Sequence, residues 1–385
     1  MKKQAIILPP ARPGSLGDEA ILAATTSYLK KKGFKKISVV SYNKDGRWKG
    51  VPELDDSIEM HEFFENNSSK SIKNLAKIMK NYDHFCCLGA DVLDGYYNEK
   101  TSLKRIEMTN IAYKEGLDSR ILGFSFNKNP AKSCIKALNN LPEKIKVQAR
   151  DPSSYKRLRK WLKRKVELTA DVAFLLEPDY NSKLNNKVSK WVKSEHKEGR
   201  VVIGINANYK IIQNLPLKLQ SSLVKIYTEM LNKLYSMGNF SFLLVPHDFR
   251  KKKGEIDDVI LTKFVLKSLP KRVRKHSTKI PTPCTAAEIK AFCKGIDFVL
   301  SGRMHLAIAC LGVGTPTACI TYQDKFEGLF KYFNLRGMTI NPEKALQPDK
   351  LVNFLIPIIK KRIKVSRQIK SKLPQVLKLS KKNFE

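Results

Sequence analysis

The sequence predicts an α/β protein made of two Rossmann-like domains, each with a parallel sheet covered by helices. Apolar, strand-like runs alternate with helix-like segments along most of the chain, which is the pattern of doubly wound parallel sheets. The alternation breaks at 178–193, a polar and Asn-rich stretch, and then resumes. We interpret this stretch as a linker, and 385 residues are enough for two domains with separate cores.

The first series of elements begins with a short apolar strand directly after the N-terminal lysines. Helix-like spacing and strand-like runs then follow each other up to the Asn-rich stretch. The predicted strands are 5–8, 36–42, 82–88, 120–126 and 145–149, and the predicted helices are 17–32, 71–81, 103–115 and 152–164.

The second series repeats this pattern and ends in a long helical region that starts near residue 348. Its predicted strands are 200–206, 240–246, 296–300 and the apolar run after Pro316, and its helices are 217–237, 285–294 and 306–311. The expected domains are 1–180, 194–345 and a basic helical region at 346–385. The arrangement is glycosyltransferase-B-like, with a cleft between the two domains and a C-terminal helix that returns to the first domain.

The net charge of +36 raises the question of an anionic partner. The lysines are spread along the chain and no aromatic-basic motif or zinc finger appears, so nucleic acid is not the expected partner. Solvated helix faces are one explanation; contact with an anionic membrane surface is the other. The tail at 351–385 suits the second, because it holds ten Lys or Arg against one acid and has helical apolar spacing.

The cysteines and the N-terminus indicate a cytoplasmic protein. Seven cysteines without CxxC spacing suit buried thiols in a reducing compartment and offer no zinc site. Only about five apolar residues precede Pro9-Pro10, too few for a signal-peptide core.

Two acidic loops follow strands of the first series. Gly17 and Asp18 lie in the motif Pro-Gly-Ser-Leu-Gly-Asp-Glu at a predicted helix start, where amides attract anions, although a tight turn explains this motif equally well. Asp91 and Asp94 follow the strand 82–88. They would either bind sugar hydroxyls and act as a general base or cap the next helix.

Two further strand ends carry a cation or a titratable group. Arg150 follows the strand 145–149 and is expected to face the cleft, since an ion pair with the adjacent Asp151 is geometrically poor. His247 follows the strand 240–246 and is either a structural histidine or a ligand contact.

The most informative segment is 296–330. A strand ends at Ser301-Gly302 and is followed by Arg303, Met304 and His305 at the start of a helix of small residues. The next strand ends near Tyr322 and Lys325. Ligands of open α/β sheets bind at the carboxyl ends of strands. A fixed guanidinium, an imidazole and an ammonium at two such ends indicate a small anionic substrate.

These motifs together resemble the polysaccharide pyruvyl transferase family. The resemblance covers most of the chain and rests on GSLGDEAIL, ARDPSS, TADVAF, VVIGINAN, VPHD and above all SGRMHLAIACLGVGTPTACITYQDKFEGLF. Two departures are visible: Gly89-Ala90-Asp91 stands where the family commonly has a run of glycines, and Ser15 or Leu16 where it often has Asn.

The resemblance implies an enzyme that moves the pyruvyl unit of phosphoenolpyruvate onto two hydroxyls of a sugar, releasing phosphate, in the synthesis of an exopolysaccharide or another cell-surface glycan. Arg150 and Arg303 would clamp the donor, helped by Lys325, Met304 and His247. His305 would transfer a proton, and Asp18 would orient or deprotonate the acceptor. Gly17, Asp91 and Asp94 would contact the sugar, which is lipid-linked in one version of this scheme. No metal or cofactor is implied.

Two other functions remain open. A glycosyltransferase of the same architecture would grip the diphosphate of a nucleotide sugar with the same cations. A non-enzymatic basic protein would bind nucleic acid or an anionic membrane with steep salt dependence.

Overall fold

The computed structural model describes residues 3–43, 48–66, 68–212, 223–250, 257–321 and 325–385. The chain divides into two compact units. Unit 1 comprises Met1–Pro13, Asp18–Leu176 and Gln375–Glu385, and unit 2 comprises Gly14–Gly17 and Glu177–Pro374. Among the described residues, the apolar helical stretches are all too short to cross a lipid bilayer.

Unit 1 is built around a seven-stranded sheet of order β3-β2-β1-β4-β5-β6-β7 in which neighbouring strands pair in parallel. Its strands are β1 (Gln4–Leu8), β2 (Lys36–Ser41), β3 (Asp56–Glu59), β4 (His84–Ala90), β5 (Asp118–Phe124), β6 (Lys146–Ala149) and β7 (Glu167–Leu168). Its helices are α1 (Leu16–Lys31), α2 (His61–Glu65), α3 (Ser69–Met79), α4 (Glu99–Lys114), α5 (Lys132–Asn139) and α6 (Pro152–Trp161).

The last residues of the chain belong to unit 1, as the sequence predicts. The buried Asn383 side chain accepts a hydrogen bond from the Gly123 amide at 2.7 Å and donates one to the Ala170 carbonyl at 2.8 Å. The Phe384 ring stacks on Tyr28 with centroids 4.0 Å apart. A Cβ atom at position 123 would lie 2.6 Å from Thr169 Oγ1 and 3.0 Å from Asn383 Oδ1, so a glycine there leaves room for the returning segment.

Unit 2 has a six-stranded sheet of order β10-β9-β8-β11-β12-β13, again with parallel neighbours. Its strands are β8 (Val201–Ile205), β9 (Phe240–Leu244), β10 (Ser277–Lys279), β11 (Phe298–Ser301), β12 (Thr317–Ile320) and β13 (Thr339–Ile340). Its helices are α7 (Lys183–Lys197), α8 (Leu223–Met237), α9 (Asp258–Ser268), α10 (Lys271–Lys275), α11 (Ala286–Gly295), α12 (Met304–Gly312), α13 (Lys325–Lys331), α14 (Pro342–Ala345), α15 (Pro348–Lys360) and α16 (Arg362–Lys381), the last of which continues into unit 1.

The apolar spacing of the basic tail is used in the core of unit 2. Leu351, Leu355 and Ile359 of α15 are buried among side chains of the sheet and of α8. The sequence suggested that this apolar face could contact a membrane surface, but it is covered by the protein itself.

The interpretation of 178–193 as a linker is wrong. Most of this stretch lies in α7, which Ser182 caps by accepting a hydrogen bond from the Asn185 amide. Val188 and Val192 are one turn apart and both are buried. With Leu184 and Trp191 they follow the i, i+4, i+7, i+8 spacing of an amphipathic helix, so the helical period is present in the sequence and only the Asn- and Lys-rich composition suggested a linker.

Candidate active site

The site in unit 2 lies where the strand order of its sheet reverses. β8 has β9 on one side and β11 on the other, and a crevice at the carboxyl ends of such strands is the usual ligand site of this sheet type. Two buried asparagines after β8 fix the turn after β11. Asn206 Oδ1 accepts a hydrogen bond from the Gly302 amide at 3.2 Å, and Asn208 Nδ2 donates to the Gly302 carbonyl at 2.9 Å.

Arg303 follows this turn and is held by two carboxylates. Its Nη2 donates to Asp258 Oδ1 at 2.6 Å and its Nη1 to Asp248 Oδ2 at 3.2 Å. The Arg303 side chain is 15% exposed, whereas that of Asp258 is fully buried and that of Asp248 is 7% exposed. The guanidinium thus has a fixed position, on a side chain that is not fully buried.

Asp258 is the common anchor of this site. Besides Arg303, its Oδ2 accepts hydrogen bonds from the amides of His247 and Asp248, at 3.1 and 3.2 Å, and from Asn206 Nδ2 at 3.2 Å. One buried carboxylate therefore ties the ends of β8, β9 and β11 together. A charge buried in this way is tolerated because its lone pairs are satisfied and it faces a cation.

Asp248 bridges Arg303 to a second arginine. Arg250 donates from Nε to Asp248 Oδ1 at 2.9 Å and from Nη2 to Asp248 Oδ2 at 2.6 Å. Burial acts to raise the pKa of the Asp248 carboxyl, but the hydrogen bonds and charge of Arg250 and the charge of Arg303 lower it to about 2. Asp248 is therefore ionised at any physiological pH.

The two histidines of the site differ in their surroundings. Burial, with the positive charges of His305 and Arg303, lowers the pKa of His247 to about 3, so this imidazole is neutral near pH 7. His305, in the first turn of α12, packs against the backbone of Gly17. A Cβ atom at Gly17 would lie 2.4 Å from His305 Nδ1. The lack of a side chain at Gly17 thus leaves space for the His305 ring.

The other predicted donor residues of unit 2 lie at the ends of neighbouring strands. Met304 is the buried first residue of α12. Lys325 is the first residue of α13, which follows the strand paired with β11. Tyr322 lies outside the described residues.

Arg150 does not have the surroundings that the sequence suggested. Its side chain is 1% exposed; Nη1 donates to Asp171 Oδ2 at 2.8 Å and Nε to Ser125 Oγ at 2.8 Å. The expectation that it faces a cleft is wrong, because Asp171, which lies 21 residues further along the chain, pairs with it inside unit 1.

The acidic loops of unit 1 serve partly structural roles. The buried Asp94 accepts hydrogen bonds from the amides of Tyr96 and Asn127 at 3.0 and 2.8 Å, and burial raises its pKa. Its carboxylate holds two loops together and faces no open space. Asp91 is half-buried and accepts a hydrogen bond from the Tyr97 hydroxyl at 3.2 Å. Asp18 is half-buried in the first turn of α1.

Unit 1 also contains a cleft at the carboxyl ends of β1 and β2, with a volume of about 1320 Å³. Its lining combines aromatic faces with cations and with the carboxylates of Asp55, Asp56, Glu59 and Glu65. Arg12 stands over the Tyr42 ring at 5.0 Å, and Trp48, Lys100 and Arg105 contribute to the wall.

Sequence reasoning missed the residues that hold Arg303 in place. Asn206 and Asn208 appear only within a longer motif, yet they follow a strand and could have been selected on that ground. Asp258 gives no such signal, because it lies in the first turn of α9, 45 residues before its partner.

Comparison with known proteins defines the family. No curated protein gives a significant sequence match. The UDP-GlcNAc 2-epimerase of Neisseria meningitidis, bound to UDP-GlcNAc, is 12% identical with a TM-score of 0.58, over 99% of this chain and 98% of that chain. The α,α-trehalose 6-phosphate synthase of Burkholderia multivorans is 8% identical with a TM-score of 0.56, over 100% and 97%.

Similarities at identities this low support the fold alone, and they confirm a glycosyltransferase-B-like fold with two parallel-sheet units. The sequence model of the family Polysaccharide pyruvyl transferase matches residues 16–324, which include every residue of the site around Arg303 except Lys325. The chain belongs to the polysaccharide pyruvyl transferase family.

Proposed function

We propose that this protein is a phosphoenolpyruvate-dependent pyruvyl transferase that forms a ketal on a sugar of a cell-surface glycan. Two sugar hydroxyls add to the central carbon of the enolpyruvyl group, its methylene carbon takes up a proton to become a methyl group, and the phosphate leaves with the second proton. The observation that carries the proposal is the placement of Arg303 and His305 at the start of α12, beside an anchored carboxylate pair.

The charge balance of the site indicates how the donor is bound. The charges of Arg250 and Arg303 formally cancel those of Asp248 and Asp258. The carboxylates orient Arg303, whose partly exposed side chain would contact the donor carboxylate or phosphate. The remaining negative charge of the donor would be met by Lys325, by a protonated His305 and by the amino end of α12. These cations belong to the protein, and the scheme uses no metal.

Proton transfer is assigned to His305. His247 has a pKa of about 3 and would be a neutral imidazole, a poor general acid, at pH 7, so its role in donor binding would be that of a neutral hydrogen-bonding group. His305 lies at the helix start beside Arg303 and would protonate the methylene carbon or accept a hydroxyl proton.

The acceptor sugar is assigned to unit 1. Its cleft offers the aromatic faces of Tyr42 and Trp48 together with charged side chains of both signs, a combination that suits the rings and hydroxyls of a sugar. Asp18 and Asp91 remain candidates for acceptor contact, whereas Asp94 and Arg150 are assigned structural roles. A cytoplasmic location fits the seven free, buried thiols.

Release of phosphate from phosphoenolpyruvate in the presence of glycan acceptors tests the proposal. We expect Arg303→Ala and His305→Ala to lower the rate at least about 100-fold, as loss of a positioned acid–base group does. His196→Ala is the matched control, because this half-exposed histidine pairs with Asp297 at the opposite end of the sheet. Unchanged activity in both site variants would contradict the assignment.

The fold also accommodates a glycosyltransferase that uses a nucleotide sugar. In that case a nucleotide sugar, and not phosphoenolpyruvate, would raise the melting temperature of the protein, and Arg303→Ala would abolish the shift.

A further inference from the structure

The exposed residues of α9 and α10 include two large apolar side chains and six cations. We propose that this side of unit 2 is a docking surface for an anionic lipid bilayer. We call it the α9–α10 face: Ile260, Lys263, Phe264 and Lys267 share one exposed stripe of α9, and the exposed Lys271 and Lys275 follow on α10.

The apolar part of the face is formed by two residues one helical turn apart. Ile260 is 44% exposed and Phe264 is 48% exposed, and i, i+4 spacing places them next to each other on α9. The opposite side of the same helix is already used, because Leu261 and Val265 are buried in the core of unit 2. Packing of α9 within the unit therefore does not account for the exposed pair.

Two of the cations, Lys263 and Lys267, share the helical stripe of this pair, and the nearest acids in sequence are Asp257, the N-cap of α9, and the buried Asp258. Residues 259–276 contain six basic residues and no Asp or Glu. Among the described residues none of these cations forms a salt bridge with an acidic side chain; Arg272 donates to Asn232 and Arg274 to the Lys267 carbonyl. The six are Lys263, Lys267, Lys271, Arg272, Arg274 and Lys275.

A bilayer is the partner that matches both properties at once. Lysines close to an anionic membrane are attracted to its surface, while adjacent apolar side chains enter the boundary between headgroups and acyl chains. Nucleic acid would use the cations but would leave Ile260 in water. The basic tail of the chain offers less apolar surface, because the apolar stripe of α15 lies in the core and Ile363, 59% exposed among cations, has no exposed apolar partner one turn away.

The face is close to the candidate active site. α9 begins with Asp258, which holds Arg303, so the docked bilayer would lie at the far side of a helix whose first turn belongs to the site. The inference does not depend on the proposed chemistry, since it rests only on exposure and charge.

Co-sedimentation of the full chain with vesicles tests the proposal. We expect binding to phosphatidylcholine vesicles that contain about 25% phosphatidylglycerol, weak binding to phosphatidylcholine alone, and release by salt. The double variant Ile260→Ser/Phe264→Ser should bind about tenfold more weakly, because it loses the insertion of two apolar side chains. Lys263→Gln/Lys267→Gln should weaken binding to anionic vesicles only.

Trp161→Ser is the matched control. This tryptophan is 39% exposed in another basic segment, at the end of α6 in unit 1, and its loss should leave vesicle binding unchanged. Because all the substituted side chains are exposed, the melting temperatures should stay close to that of the wild type. Phosphate release with a water-soluble acceptor should also persist, which separates failure of docking from failure of the enzyme assignment.

Three results would overturn the proposal. The first is wild-type vesicle binding by the Ile260→Ser/Phe264→Ser variant. The second is loss of binding in Trp161→Ser instead. The third is a wild-type protein that does not bind anionic vesicles but self-associates through the α9–α10 face. Self-association through this face would appear as a sedimentation coefficient that rises with protein concentration only when Ile260 and Phe264 are present.

Discussion

Replacement of Asp258 by Asn tests the central feature of the site. The substitution preserves shape but removes the negative charge and replaces one acceptor oxygen by an amide donor. Asp258 Oδ1 and Oδ2 accept hydrogen bonds from Arg303 Nη2 and Nε at 2.6 and 3.3 Å and from three further groups. At least one of these donors would then face the new amide, and Arg303 would lose its closest counter-charge.

The expected cost follows from burial and from the contact that remains. Removal of one partner from a buried ion pair costs about 3–5 kcal/mol. Arg303 keeps its 3.2 Å contact with Asp248, so the lower end, about 3 kcal/mol, applies. In a unit of this size 1 kcal/mol corresponds to about 2–4 °C, which gives a fall of about 6–12 °C in the melting temperature of unit 2.

Calorimetry and phosphate-release kinetics on the same preparations provide the measurement. Asp257→Asn is the matched control, because Asp257 is the N-cap of α9 and accepts a hydrogen bond from the Ile260 amide at 2.8 Å, and Asn caps equally well. We expect Asp257→Asn to resemble the wild type. Below its melting temperature, Asp258→Asn should show a raised KM for phosphoenolpyruvate, since Arg303 is no longer held in one position.

The reasoning would be refuted if the free energy of unfolding of Asp258→Asn lay within about 0.5 kcal/mol of the wild-type value, which is the range of an ordinary surface substitution. Normal stability with a raised KM would locate the role of Asp258 in binding alone. That outcome would contradict its assignment as the anchor that ties three strand ends together.

Three further predictions concern both units. Ala90 has φ of 42°, in the left-handed region, so Ala90→Gly should raise the free energy of unfolding of unit 1 by about 0.5–1 kcal/mol in urea titrations, because the relieved strain exceeds the added entropy of the unfolded chain. The pKa of His247 is lowered to about 3 in the native protein. Below about pH 6.5 the unfolded chain therefore binds a proton at His247 that the native protein does not bind. As a result, the free energy of unfolding decreases as the pH falls from about 6.5 to about 3. His247→Gln should therefore reduce the loss between pH 7 and pH 5 by about 2 kcal/mol. Arg150→Ala should lower the free energy of unfolding of unit 1 by about 3–5 kcal/mol, and the double variant Arg150→Met/Asp171→Leu should restore much of this stability. If Arg150 is structural, the double variant should also leave the KM for phosphoenolpyruvate unchanged.

Much of the fold could be predicted because parallel strands buried on both faces appear as continuous apolar runs. Phe240–Leu244 and Val201–Ile205 are fully or largely buried and easily recognised. The short edge strands Asp56–Glu59 and Ser277–Lys279 carry mostly polar residues and were missed, since hydrogen bonding to a neighbouring strand, and not apolar content, makes them strands.

For the candidate active site, the sequence predicted only which residues lie at the ends of strands. Arg303, His305 and His247 follow strands of one sheet, and topology brings such positions together. Arg150 also follows a strand and looked equivalent, but Asp171 and Ser125 enclose it. Both arginines are followed in sequence by a helix start, so local sequence does not separate them.

The sequence by itself determined the alternation of strands and helices, the positions of the motifs at strand ends and the family, because these depend on local periodicity and residue order. The tertiary structure alone decided which arginine side chain remains partly exposed, which carboxylate binds that arginine and which apolar stripe stays exposed. Those outcomes depend on contacts between segments tens of residues apart. Pairing, burial and desolvation at such distances are properties of the packed chain and not of any local pattern.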